Sequence, residues 1–156
     1  MANASFTHSV IRPGGGLLAA ALFSLHTGAA SAQQLTTAAV EKWLAGYERA
    51  WETRDAARAA ELFTPDAAYH ETPFDAPKAG QAGIHEYWAT VTADQRDIDF
   101  KSQVLSVSGR TGVAHWSATF TSAATGARME LDGVFVLTFD DKGRCSELRE
   151  WWQLRP

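Results

Sequence analysis

Cysteine is almost missing from this chain: 156 residues carry one, Cys145. No internal disulfide can form, so the fold has no covalent staple. A single Cys among strand residues reads as a small buried hydrophobe rather than a reactive thiol. An excess of basic charge is also missing. Fourteen Lys and Arg face eighteen Asp and Glu, for a net charge of −4, and nucleic-acid binding calls for a basic patch. Metal-ligand spacing is absent: beyond residue 32 the histidines are His70, His85 and His115, with no H-x-x-x-H and no Cys partner. There is no Gly-rich phosphate loop, no nucleophile elbow and no Cys/His pair, so neither metal nor cofactor is expected. No apolar run reaches the roughly 20 residues that span a bilayer, and there are no repeats or charge runs.

The N-terminus has a secretory layout. Its first 32 residues hold one charged side chain, Arg12, then an apolar run over 17–25 and small residues ending Ala30-Ser31-Ala32. This is the order of n-region, h-region and A-x-A cleavage site. Residues 1–32 are therefore expected to be a signal peptide and the protein periplasmic or secreted, with no membrane association after cleavage. The remainder, 33–156, is 156 − 32 = 124 residues, the size of one domain, with a net charge of −4 − 1 = −5 once Arg12 is gone.

Periodicity then orders the chain. Thr36 or Thr37 can cap a helix whose apolar stripe is Val40, Leu44, Tyr47 and Trp51, with Glu41 in the first turn at the positive end of the dipole. Asp55 can cap a second helix, stopped by Pro65. A third carries Ile84, Tyr87, Trp88 and Val91. Between the second and third lies a short strand over 66–74, ending at Pro73. It puts Tyr69 and Glu71 on one side and His70 and Thr72 on the other. Four more strands are expected over 98–107, 113–121, 128–139 and 144–154, separated by Gly- and Asp-rich turns that make antiparallel hairpins. Helices first and strands later give an α+β class, with the helices on one face of a curved, mostly antiparallel sheet. Trp116, Ala118 and Phe120 share a face that should meet the helices. In the last strand Leu148, Glu150, Trp152 and Leu154 share the inward face, opposite Glu147, Arg149 and Trp151. The third of the four strands is apolar on both sides, which calls for cover from the helices on one face and a second subunit on the other.

The stretches Tyr47-Glu-Arg-Ala-Trp-Glu-Thr-Arg-Asp55, Glu61-Leu-Phe-Thr-Pro-Asp-Ala-Ala-Tyr-His-Glu-Thr-Pro73, Gly80-Gln-Ala-Gly-Ile-His-Glu-Tyr-Trp88, Asp132-Gly-Val-Phe-Val-Leu-Thr-Phe-Asp140 and Gly143-Arg-Cys-Ser-Glu-Leu-Arg-Glu-Trp-Trp152 together resemble the nuclear transport factor 2-like superfamily. The resemblance is specifically to its SnoaL-like members, whose relatives include polyketide cyclases, ketosteroid isomerases and limonene epoxide hydrolase. It implies a cone-shaped α+β barrel, in which three N-terminal helices pack on a curved sheet that wraps the first helix and encloses a deep pocket. It also implies homodimers formed through the outer sheet face. Glu71 lies where the isomerases carry the carboxylate that shuttles a proton, and Tyr47 where they carry the tyrosine that donates to a developing oxyanion. The isomerases' second donor, an aspartic acid on a central strand, has no counterpart here. Phe135 stands at that position, which argues against steroid isomerisation.

The residues themselves admit two readings each. Glu71 in an apolar pocket would have its pKa raised by desolvation and serve as general acid/base; alternatively it pairs with a nearby Arg or faces water. Tyr47 is an oxyanion donor or an ordinary core tyrosine. Glu150 forms a carboxyl pair with Glu71, one protonated and one not, or belongs to a structural network. Trp51, Trp88, Trp116, Phe120, Phe135 and Trp152 line a pocket for a small apolar or aromatic molecule or are plain core. Three functions stay open: a cofactor-independent isomerase, cyclase, dehydratase or hydrolase; a non-catalytic ligand-binding module; and an assembly domain.

Overall fold

The structure, a computed structural model, describes residues 34–155; the expected signal segment over 1–32 lies outside the described residues. Helix α1 (Thr37–Glu52) starts where the Thr36 hydroxyl accepts the Ala39 N–H at 3.1 Å, a cap worth about 1 kcal/mol. Its stripe buries Val40, Trp43, Leu44, Tyr47, Ala50 and Trp51. Asp55 caps the short α2 (Ala56–Glu61) through the Arg58 N–H at 3.0 Å. That helix ends four residues before Pro65, which sits instead inside strand β1 (Phe63–His70). Pro65 is tolerated there because the pairing of β1 with its neighbour shifts register between Phe63 and Ala68, so no regular ladder bond is demanded of it.

The strand expected over 66–74 is thus found three residues earlier, and Glu71 lies just past its end. A turn follows, in which the Thr72 hydroxyl donates to Asp75 at 2.7 Å. The two-residue β2 (Lys78–Ala79), not foreseen from the sequence, pairs with β1 and leads into α3 (Gly80–Val91). The four long strands are β3 (Gln95–Ser108), β4 (Thr111–Ser122), β5 (Arg128–Phe139) and β6 (Cys145–Leu154), within a few residues of their expected places. The sheet order is β2-β1-β6-β5-β4-β3. Only β1 with β6 is parallel. The sheet curves without closing, and β3 bends at two register shifts, between Arg96 and Asp99 and between Val104 and Ser106. The class is α+β, with three helices against the concave face of a mostly antiparallel sheet.

Alternation puts aromatic side chains between the layers. Trp116 of β4 stacks on Phe135 of β5, with ring centroids 5.2 Å apart, and Tyr47 of α1 meets Phe135 edge-on at 5.2 Å. Trp43 lies edge-on to Phe63 and Phe139, and its N–H donates to the Leu62 carbonyl at 2.9 Å. Burying each such ring stabilises the fold by roughly 1.5–3 kcal/mol. On the convex face Val134 and Val136 are half-buried and Trp151 is 49% exposed. Among the described residues no helix is long and apolar enough to cross a membrane.

Gly133 of β5 pairs directly with Trp116 and Trp152. A Cβ there would come within 2.8 Å of the Trp116 ring and 2.7 Å of the Trp151 carbonyl oxygen. Neither neighbour can retreat, one being backbone and the other a stacked ring. Gly133→Ala is expected to destabilise by about 1–3 kcal/mol through overpacking, read as a lower urea midpoint. An unchanged midpoint would mean that Trp116 does not rest on β5.

Candidate active site

Between α1, α3 and the concave sheet lies a cavity of about 160 Å³. Two of its walls come from helices, Trp51 at the end of α1 and Trp88 in α3, and others from Trp116, Phe120, Leu131 and Trp152 of the sheet. Five of the six aromatic residues expected as ligand contacts therefore reach it. The sixth, Phe135, does not. It is fully buried behind the wall, where it supports Trp116 and Tyr47. A larger groove of about 400 Å³ runs past Lys42, Arg110 and Lys142. It faces solvent, and its Arg110 and Arg144 are already paired with Asp141 and Asp140 at 2.9 and 3.0 Å. It brings together no buried acid or base, so the smaller cavity is the candidate site.

Polar groups enter this cavity from five elements: Tyr47 from α1, Tyr69 from β1, Tyr87 from α3, Gln95 from β3 and Glu150 from β6, with Glu71 beyond the end of β1. Tyr47 and Tyr69 are joined at 3.0 Å, and the Tyr69 hydroxyl donates to Glu150 Oε1 at 2.9 Å. Tyr69 has one proton, and it is committed to Glu150. The Tyr47 hydroxyl must therefore donate to Tyr69, and Tyr47 has no proton left for an oxyanion while this chain is intact.

Glu150 is 5% exposed. Burial pushes its carboxyl up from 4.5 to about 8, with the Tyr69 hydrogen bond pulling down and the charge of Glu71 pushing up. Burial, with the Glu150 carboxyl nearby, also holds Tyr47, Tyr69 and Tyr87 well above the ordinary phenol range. The expectation of a desolvated Glu71 needs correcting. Its side chain is 25% exposed, and the Lys78 ammonium stands 3.7 Å away, because the chain leaves the sheet at His70 and carries Glu71 to the cavity mouth. The desolvated carboxyl is Glu150. Lys78 also lies over the Tyr87 ring, 5.1 Å from its centroid.

The remaining candidates fall elsewhere. His115 bonds Asp132 at 2.8 Å on the convex face, and His70 lies 3.5 Å from Glu147. Among the described residues no group of three or more His, Cys, Asp or Glu is placed to hold a metal ion. Cys145 is buried, and burial pushes its thiol up. Sequence reasoning did not single out Tyr69, Tyr87 or Gln95 as site residues. The first two carried a signal, Tyr69 by sharing the side of Glu71 and Tyr87 by lying on the apolar stripe of α3. Gln95 carried none.

The buried acid makes stability depend on pH. The native state holds the Glu150 proton up to about pH 8, whereas the unfolded chain loses it near 4.5. Between these values the native state binds more protons, so stability falls as pH rises, by at most about 1.4 kcal/mol per pH unit from this one group. Urea midpoints measured from pH 5 to 8.5 should decline, and Glu150→Gln should flatten the decline. A wild-type profile as flat as the variant's would remove the assignment.

Comparison with known proteins follows this geometry. The SnoaL-like domain profile matches residues 40–148, from the first buried residue of α1 into β6. No curated protein gives a match. Among solved structures, the epoxide hydrolase/cyclase-like enzyme SalBIII, described by its role in pyran ring formation in the polyether salinomycin, superposes with a TM-score of 0.63 at 19% identity. That match covers 72% of this chain and 89% of the other. A structure described as a candidate isomerase from Bacillus subtilis gives a TM-score of 0.66 at 19% identity, covering 74% and 87%. At this identity the likeness is one of fold. With the profile spanning well over half its length, the chain belongs to the SnoaL-like domain family.

Proposed function

We propose that this domain is a cofactor-independent acid–base catalyst of isomerisation or cyclisation, with Glu150 as its general acid. The observation that carries this reading is the buried Glu150 carboxyl, held by Tyr69 at 2.9 Å through one oxygen and lining the cavity. Oε2 makes no hydrogen bond among the described residues. A proton on that oxygen is available to a ligand, and at neutral pH the group is mostly protonated. Glu71, beside Lys78 at the mouth, is the second carboxyl. Two carboxyls in unlike surroundings suit paired acid and base work.

In an isomerisation Glu71 removes a proton from carbon next to a carbonyl while Glu150 gives its proton to the carbonyl oxygen, forming an enol. The two transfers run in reverse at the far carbon, so each carboxyl ends as it began. In a cyclisation Glu150 protonates an ether or epoxide oxygen as its C–O bond breaks, and Glu71 takes the proton of the attacking hydroxyl. Tyr47 and Tyr69 hold the Glu150 carboxyl in place and accept part of its negative charge after transfer. Membership of the SnoaL-like family supports this class by analogy, since one fold hosts many activities.

The direct test is conversion of a β,γ-unsaturated cyclohexenone to its conjugated isomer. The wild-type rate should fall as pH passes about 8, and Glu150→Gln should lower it by roughly 100- to 10,000-fold. Binding without acceleration over buffer would leave a ligand-binding module in place of an enzyme. We also propose that Val134, Val136 and Trp151 meet a second copy of the chain. Light scattering should give a dimer for the wild type and a shift toward monomer for Trp151→Glu, and a wild-type monomer would contradict the pairing.

A further inference from the structure

We propose that the cavity takes a neutral, one-ring compound bearing an oxygen acceptor besides the oxygen that Glu150 protonates, and that Gln95 holds this second oxygen on the side of the cavity away from Glu150. The inference rests on the reading above that this cavity is the ligand site.

The argument begins with an amide that has only one possible orientation. Gln95 opens β3, is 6% exposed and lines the cavity. The Trp51 N–H donates to it at 2.7 Å. An indole nitrogen only donates, so the atom facing it is the amide oxygen and the NH2 points the opposite way. No hydrogen bond among the described residues uses that NH2. Two of the residues lining the cavity, Trp88 and Trp116, also carry buried N–H groups with no acceptor among the described residues. A buried donor without a partner is unfavourable, so the lining has donors in excess of acceptors.

The opposite side is the acidic one. Glu150 on β6 and Glu71 past β1 are separated from β3 by two or more strands of the curved sheet. No Lys or Arg lines the cavity, and Lys78 at its mouth is paired with Glu71 at 3.7 Å, so an anionic ligand would find no free cation there. Size sets the last limit: about 160 Å³ is close to the roughly 150 Å³ of an engineered apolar cavity that binds benzene. One ring fits, and a fused polycyclic body does not. The ligand that satisfies all three conditions is flat, uncharged and monocyclic, with its acceptor on Gln95 and its reacting atoms toward Glu150.

Isothermal titration with acetophenone, its isostere α-methylstyrene and benzoate tests this without requiring turnover. Wild type should bind acetophenone at least about tenfold tighter than α-methylstyrene, the worth of one made hydrogen bond to a buried donor, and benzoate more weakly than acetophenone. Gln95→Glu keeps an oxygen for Trp51 and, titrated at a pH where that carboxyl is ionised, removes the donor, so it should abolish the ketone preference. Gln95→Met should do the same, and thermal melts show that each variant is folded. Equal binding of ketone and alkene by wild type, survival of the gap in both Gln95 variants, or tight benzoate binding would overturn the inference while leaving Glu150 as the acid. Failure of every probe to bind wild type would overturn the inference together with the cavity reading beneath it.

Discussion

Glu150 loses its water when β6 is laid between β1 and β5, and the fold has to accommodate a carboxyl with one protein hydrogen bond and aromatic neighbours. Burial of a charged carboxylate is costly, and the group escapes that cost by keeping its proton. The Tyr47–Tyr69–Glu150 chain follows from this. The two hydroxyls and Glu150 Oε1 are bonded in series, and each is brought by a different element: α1, β1 and β6. The parallel pairing of β1 with β6 places Tyr69 directly beside Leu148, two residues from Glu150 on the same face. Without that single parallel pair, the tyrosine that orients the acid would not reach it.

Around this chain the aromatic core acts as a frame. Phe100, Trp116 and Phe135 stack with small interplanar angles, 23° to 24°, and Tyr47 is wedged against two of them at 5.2 to 5.5 Å. Close-packed rings cannot shift independently, so the tyrosine on the helix and the acid on the sheet are held at a fixed separation. Gly133 makes the arrangement possible by giving up its side chain where Trp116 needs room. The cavity is what remains between this frame and α3.

Much of this was legible beforehand. The stripe Val40, Leu44, Tyr47, Trp51 gave α1, and the strands over 98–154 were marked by alternation and by turns with Gly and Asp. The inward parity of Glu150 followed from the apolar residues at Leu148 and Trp152. What could not be read was where β1 ends. The sequence places Pro73 as its stop, but the chain leaves the sheet at His70, because a Pro shows where pairing is forbidden and not where it ceases for want of a partner. That shift of a few residues moved Glu71 to the mouth, beside Lys78, and left Glu150 as the desolvated acid. Gln95 was invisible for a different reason: its role depends on Trp51, forty-four residues away, and no local pattern encodes such a pair. Phe135 looked like a contact because it faces inward, yet inward-facing residues can lie behind a wall as well as in it.

The central claim is that Glu150 is a neutral carboxylic acid at physiological pH. Carbon-13 NMR of its side-chain carboxyl, labelled and assigned by loss of the signal in Glu150→Gln, measures this directly. The account predicts a titration midpoint near 8. A midpoint near the ordinary glutamate value of about 4.3 would contradict it.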